Sequence, residues 1–193
     1  GVDYTNRTAL PDVYRIKGHE SNYSGEIQYL LRSEFFHLIA GGGYSTTQRS
    51  EKNALVSLGP PLTPIPLFYD EGNIDHTNLY LYSYFNFLKR MTLTLGGSAD
   101  FYKGMKENRD QVNPKFGITW NPFPATTLRG AVFRTLRRTL INNQTIEPTQ
   151  VAGFNQFFDD ENSEGARAWR YGFALDQKIL KTLFGGFELS RRD

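Results

Sequence analysis

Strict two-residue alternation, repeated in segment after segment, constrains this chain more than any other feature. An extended strand points successive side chains to opposite faces, so alternation marks a strand whose faces meet different surroundings. Over residues 91–101 one face carries Met91, Leu93, Leu95, Gly97, Ala99 and Phe101, and these six positions hold no charge. The other face carries Arg90, Thr92, Thr94, Gly96, Ser98, Asp100 and Tyr102. Residues 23–31, 36–44, 79–87, 114–120, 169–175 and 183–189 repeat the pattern. Over 128–136 the stripe Leu128, Gly130, Val132, Leu136 is interrupted by Arg134. A bulge would re-aim that arginine; alternatively it sits near lipid headgroups, where a charge costs ~0–1 kcal/mol rather than the ~2–4 of the bilayer midplane. These eight segments are the predicted strands, with a weaker ninth at 12–17 ahead of a loop at about 19–22.

Alternation alone also fits a soluble sandwich or barrel. What separates the cases is the second face, which mixes charges with Gly, Ser, Thr and Tyr, as a watery or hydrogen-bonded lumen would. A soluble outer face is usually richer in Lys and Glu. The negative mean hydropathy of −0.49 is compatible with a membrane barrel, because only every second strand residue faces lipid. No run of 18 apolar residues exists, which excludes a spanning helix. Aromatic residues make up 15% of the chain and favour both strands and interfacial girdles. The absence of cysteine excludes a disulfide scaffold and a thiolate metal or redox site. A net charge of +2 with no basic block beyond Arg134, Arg137 and Arg138 argues against nucleic acid as a partner.

The connections alternate in length. Short ones fall near 33–34, 89–90, 121–126 and 181–182, and long ones at about 46–76, 103–111 and 139–165. Short turns on one side and long loops on the other describe an outer-membrane barrel with its short side periplasmic. The first long loop holds Pro60, Pro61, Pro64 and Pro66, which block helix and central strand alike. The third holds Asn142, Asn143, Gly153 and the acidic run Asp159, Asp160, Glu161, read as a solvated loop rather than a calcium site. The expected fold is all-β: an antiparallel up-and-down transmembrane barrel with about 8–10 strands, one domain over residues 1–193, or a piece of a larger barrel. Gly1-Val2-Asp3 opens without signal-peptide features, so a leader is expected to have been removed or the chain to be a fragment. Residues 189–193 lie in mid-strand without a terminal aromatic, so continuation is expected.

The expected lumen-facing polar residues are Glu26, Arg32, Asp100, Lys115, Arg129, Arg170, Asp176 and Glu188. They either form a conduit that screens solutes by charge or pair with one another to fill a narrow barrel. Tyr23, Tyr44, Phe101, Trp120 and Trp169 fall near predicted strand ends and read as an aromatic girdle. His19, His37 and His76 are scattered and suggest neither a metal nor a cofactor. A hydrolase would need His37 to meet Ser24 or Ser98 together with an acid. Asn143-Gln144-Thr145 matches a glycosylation acceptor and reads as ordinary loop sequence.

Two stretches carry a family resemblance. Asn113-Pro114-Lys115-Phe116-Gly117-Ile118-Thr119-Trp120, followed by Thr126-Thr127-Leu128-Arg129-Gly130-Ala131-Val132-Phe133-Arg134, resembles barrel strands of TonB-dependent receptors. Residues 143–157 resemble barrel regions at the C-terminus of bacterial tetratricopeptide-repeat envelope proteins. The resemblance covers roughly 113–191 through short structural motifs. It implies a bacterial outer-membrane location, the lipid bilayer as partner, and a periplasmic plug or tetratricopeptide-repeat domain as a further partner. A TonB-dependent receptor has an N-terminal plug, a TonB box and 22 strands; the plug is not in this sequence. The functional expectation is a channel, transporter or anchor without catalytic activity. Two alternatives stay open: a soluble β-barrel binding a small apolar ligand, and a membrane-embedded lipid-modifying enzyme.

Overall fold

Alternating side chains leave the backbone of each segment free to pair on either side, and the inner strands of the main sheet pair on both. The computed structural model describes residues 2–5, 12–57, 64–87, 90–105, 108–136, 145–157 and 166–193; for 2–5, 12–17, 51–57 and 64–68 it describes the backbone alone. The strands are β1 (Val2–Thr5), β2 (Asp12–Arg32), β3 (Phe36–Ser57), β4 (Pro64–Phe87), β5 (Met91–Lys103), β6 (Asn108–Phe123), β7 (Thr126–Leu136), β8 (Gln150–Val151), β9 (Phe154–Asn155), β10 (Arg167–Lys178) and β11 (Phe184–Arg192). Nine of them form one sheet in the order β1-β2-β3-β4-β5-β6-β7-β10-β11, with every pairing antiparallel. This is the up-and-down topology that the alternation predicts. β8 and β9 form a separate small hairpin between β7 and β10.

All eight predicted strands are present, and their limits need three corrections. The candidate strand at 12–17 and the expected loop at 19–22 are both part of the single 21-residue β2. The long loop expected at about 46–76 is mostly strand: β3 continues to Ser57 and β4 starts at Pro64. Pro64 and Pro66 thus lie inside β4, next to a register shift at Asn53/Ala54, where an irregular ladder tolerates the missing N–H. Pro60 and Pro61 lie outside the described residues. The loop expected at 103–111 shrinks to the short link before Asn108, where β6 begins. The reason is common to all three. In these stretches the residues no longer alternate between apolar and polar, while the hydrogen-bonded ladder continues.

Register converts alternation into two continuous faces. Leu95, Phe116, Val132 and Tyr171 are successive partners across β5, β6, β7 and β10, and each is exposed, Phe116 to 45%. The adjacent row is Gly96, Lys115, Phe133 and Arg170, in which Lys115 is only 4% exposed. The first row is therefore apolar and exposed, and the second, which holds Lys115 and Arg170 beside the buried Phe133, lies on the opposite, polar face. A soluble ligand-binding cup requires the opposite, with Phe116 and Phe173 turned inward; Phe173 is 51% exposed.

The buried residues lie on the polar face. One cluster joins Tyr80, Tyr82, Ala131, Phe133, Val151, Phe154 and Ala174. A second joins Ile74, Tyr102 and Leu136, with Met105 packed on it. Leu136 breaks the stripe, since Thr135 and Leu136 are both buried where β7 ends. On the β10 side no bulge re-aims Arg134, since β7 and β10 stay in register from Thr126 to Leu136; on the β6 side the pairing ends at Phe133. The Arg134 Nε atom is buried without a hydrogen-bond partner.

Candidate functional site

The polar face is covered by residues 145–157, a strap that belongs to the loop between β7 and β10. Its tip is the β8–β9 hairpin, closed by the two-residue turn Ala152-Gly153. Both turn residues have positive φ, 48° and 83°, the geometry of a type I′ turn, whose twist matches that of the flanking strands. Val151 and Phe154 pair across this hairpin and are fully buried against the sheet. Removing each from water stabilises the strap by about 1.5–3 kcal/mol.

The sheet makes room for the tip with small residues. A β-carbon on Gly117 would come within 2.9 Å of Ala152 and Val151, and one on Gly172 within 2.5 Å of the Phe154 ring. The guanidinium groups of Arg129 and Arg170 lie 5.3 and 5.9 Å from the Phe154 ring centre, within the range of cation–π attraction. Arg129 Nη1 also donates to the Ala152 carbonyl at 3.4 Å, and Arg170 Nη1 to the Asn155 carbonyl at 2.6 Å.

Polar side chains fix the rest of the strap. Glu147 is 2% exposed. Its carboxylate accepts from the Tyr82 hydroxyl at 2.6 Å and from Asn78 Nδ2 at 3.1 Å. Such bonds offset the cost of taking a charge out of water. Gln156 Oε1 accepts from Lys115 Nζ at 2.5 Å, and Gln156 Nε2 donates to the Tyr82 hydroxyl at 2.8 Å and to the Pro148 carbonyl. At the other end Glu26 accepts from Thr145 Oγ1 at 2.8 Å and from the Ile146 N–H at 2.5 Å, while Gln28 Nε2 donates to the Ile146 carbonyl at 2.5 Å. The strap thus crosses the polar face from β2 to β10.

The residues predicted to line the lumen separate into groups. Arg129 meets Asp176 at 2.7 Å and Glu188 at 4.0 Å, and Arg170 meets Glu188 at 3.4 Å, so these four form one ion-pair network on β7, β10 and β11. Lys115 and Glu26 bind the strap instead. Asp100 stands in a separate buried cluster: His76 Nε2 lies 2.9 Å from Oδ1, and Ser98 Oγ and Asn113 Nδ2 donate to Oδ2 at 3.0 and 2.5 Å. Gln111 Nε2 donates to Asn113 Oδ1 in turn. Arg32 is exposed at the end of β2, opposite His37.

Sequence reasoning missed the His76–Asp100 contact, because only the β4–β5 register brings the two side by side. It also missed the strap. The available signal was a pair of apolar residues, Val151 and Phe154, flanking a Gly-containing turn in an otherwise polar loop. His37 pairs with Arg32 and Tyr84 rather than with Ser24 or Ser98, and the Ser98 hydroxyl is engaged by Asp100. Among the described residues no group of three or more His, Cys, Asp or Glu side chains is placed to hold a metal ion. Asn142, Asn143, Asp159, Asp160 and Glu161 lie outside the described residues.

All five aromatic residues expected in a girdle are exposed on the apolar face. Phe101, Trp120 and Trp169 lie near the ends of β5, β6 and β10, as expected. Tyr23 and Tyr44 lie in mid-strand, because β2 and β3 continue beyond the band. Tyr44 nonetheless shares a row with Phe101 through Thr77. Trp169 stacks on Tyr171 with ring centres 6.4 Å apart.

Comparison with known proteins agrees with this architecture. The family model for the TonB-dependent receptor-like β-barrel matches residues 1–189. Among solved structures, the chain is similar to one in the FpvAI–pyocin S2 complex, with a TM-score of 0.60 at 13% identity over 95% of this chain and 25% of that one. It is also similar to the copper transporter OprC, with a TM-score of 0.54 at 11% identity over 88% of this chain and 29% of that one. At these identities the likeness is one of fold, and the chain spans less than a third of the length of either structure. No curated protein matches the sequence. Nothing in the comparisons supports a tetratricopeptide-repeat partner. With the family model covering nearly its whole length, the chain belongs to the TonB-dependent receptor-like β-barrel family.

Proposed function

We propose that this chain forms the wall of a bacterial outer-membrane transporter, as a single β-barrel domain over residues 1–193 whose apolar face meets lipid and whose polar face lines a solute conduit. One observation carries the reading: the inverted exposure of the sheet, with Phe116 45% and Lys115 4% exposed although they are neighbours in sequence. Hydrocarbon admits a sheet only where its backbone hydrogen bonds are made within the protein; the antiparallel ladders meet that condition from β3 to β10, while among the described residues β11 and the band part of β2 each pair on one side alone. On this reading Glu26, Asp100, Lys115, Arg129, Arg170, Asp176 and Glu188 line the interior, and Arg32 lies at its short-turn mouth. Tyr23, Tyr44, Phe101, Trp120 and Trp169 anchor the wall at the two interfaces.

The strap narrows the conduit. It fills the space between β2 and β10 with a packed hairpin, so solute passage depends on whether it stays seated. The protein carries out no chemical step on what it passes, and a plug domain is the partner that suits a barrel of this family.

Reconstitution tests the reading. The protein is expected in the detergent-extracted outer-membrane fraction and not in the detergent-free one. In planar bilayers a variant with residues 145–157 replaced by a Gly-Ser linker is expected to conduct more than the parent. A folded, monodisperse monomer purified without detergent contradicts the proposal.

A further inference from the structure

The strap is fastened at two places by two kinds of contact. Its first residues are held by polar side chains. Glu26 of β2 accepts from Thr145 Oγ1 and from the Ile146 N–H, and Gln28 Nε2 donates to the Ile146 carbonyl. Gln28 Nε2 also donates to the Tyr80 hydroxyl of β4 at 3.1 Å. That hydroxyl lies over Gly41 of β3, where a β-carbon would collide with it. The tip is held by apolar packing instead, with Val151 against Gly117 of β6 and Phe154 against Gly172 of β10. In the sheet β5 stands between these two anchors.

The strap has little slack between them. Ile146 and Ala152 are six residues apart, a reach of at most about 20–22 Å. Glu26 and Arg129, which hold them, stand on β2 and β7, five strand intervals apart, or roughly 24 Å along the sheet. A segment drawn across that distance cannot let one anchor shift without loading the other. β2 is also the strand with the least support of its own. Among the described residues its part beyond Ile16 pairs with β3 alone, because β1 meets only Val13–Ile16. A strand paired on one side opens at lower cost than one paired on both.

We propose that residues 145–157 act as a clasp that couples β2 to β10 across the wall: with the tip seated on Gly117 and Gly172, the open-edged β2 is held closed against β3, and with the tip lifted it loosens. The inference concerns the wall itself and goes beyond the reading of what passes along its polar face. Such coupling is reciprocal, so weakening the β2 anchor also unseats the tip. It skips β5, because the strap carries it and the sheet does not.

Hydrogen exchange on the full chain in detergent micelles reads this strand by strand. Gly172→Val, which lifts Phe154, is expected to speed exchange of the β2 amides that pair with β3 between Gly25 and Leu31 at least tenfold, as a loss of local protection. The amides of β5 between Leu93 and Gly97 are expected to keep their rates. Phe154→Ala frees the tip without crowding the wall and is expected to give the same pattern, so the test stands even where Gly172→Val fails to fold. At the other end, Glu26→Ala is expected to speed exchange of the β8 and β9 amides at least tenfold by the same reasoning.

A double-mutant cycle decides whether the strap is the carrier. With residues 145–157 replaced by a Gly-Ser linker, Gly172→Val is expected to leave β2 exchange as it was. Unchanged β2 exchange in the folded tip variants, loosening of β5 in step with β2, or the same β2 response in the protein without the strap overturns the proposal.

Discussion

Phe154 of the strap lies directly against Gly172 of the wall, so close that a β-carbon on the glycine would stand 2.5 Å from the phenyl ring. The strap seats because the wall is bare at that point. Gly172→Val is therefore expected to expel Phe154 and forfeit about 1.5–3 kcal/mol of apolar burial. The sheet should survive, since Gly172 keeps its backbone pairing with Ala131 and Ser190. Limited proteolysis is expected to cut the variant within 145–157 while its far-UV circular dichroism matches the parent. Unchanged protection of the strap would show that Phe154 is not its anchor.

The turn at the tip of the strap makes an opposite pair of predictions. Gly153 has φ +83°, and a side chain there would also meet Arg129 Nη1. Gly153→Ala is expected to destabilise the hairpin by about 1–2 kcal/mol through left-handed backbone strain alone. Ala152, at φ 48°, already bears such strain, and asparagine tolerates that region better. Ala152→Asn is therefore expected to strengthen the hairpin by under about 1 kcal/mol. Hydrogen exchange of the β8 and β9 amides reads both: faster in the first variant, slower in the second.

Depth in the bilayer should set the cost of a charge on the apolar face. Val132 lies in the central row with Phe116 and Tyr171, whereas Trp120 lies beside the short turn that joins β6 to β7. Val132→Arg is expected to destabilise the folded barrel by about 2–4 kcal/mol and Trp120→Arg by roughly 0–1 kcal/mol from the charge itself, beyond the loss of the ring. Urea unfolding in lipid vesicles measures both. Equal costs at the two depths would remove hydrocarbon as the cause.

The apolar face was legible because the two faces of each strand carry different side chains, and Leu95 and Phe116 lie exposed on it. The outer reaches of β3 and β4 were not legible. Between Thr46 and Ser57 and from Pro64 to Asn73 both faces are polar or mixed, so no period distinguishes a paired strand from a loop. Pro64 and Pro66 added a misleading signal, because a register shift beside them accommodates what an unbroken ladder rejects.

The candidate site was half legible. Parity alone put Lys115, Arg129, Arg170 and Glu26 on one face, and all four touch the strap. That Arg129 pairs with Asp176 and Arg170 with Glu188 follows from strand register, and that Lys115 and Glu26 hold the strap follows from a loop folding back across the sheet. Residue types along the strands record neither. His76 is the sharpest case: a lone histidine by spacing, it becomes the neighbour of Asp100 only when β4 and β5 are aligned.

The central claim is that the exposed apolar face meets hydrocarbon, and the two tryptophans test it directly. Trp120 and Trp169 are the only tryptophans in the chain, and both lie exposed on that face. In vesicles of lipids brominated along their acyl chains, the intrinsic fluorescence is expected to be strongly quenched, with little further loss to aqueous iodide. Fluorescence that brominated lipid leaves intact and iodide extinguishes would place that face in water and contradict the account.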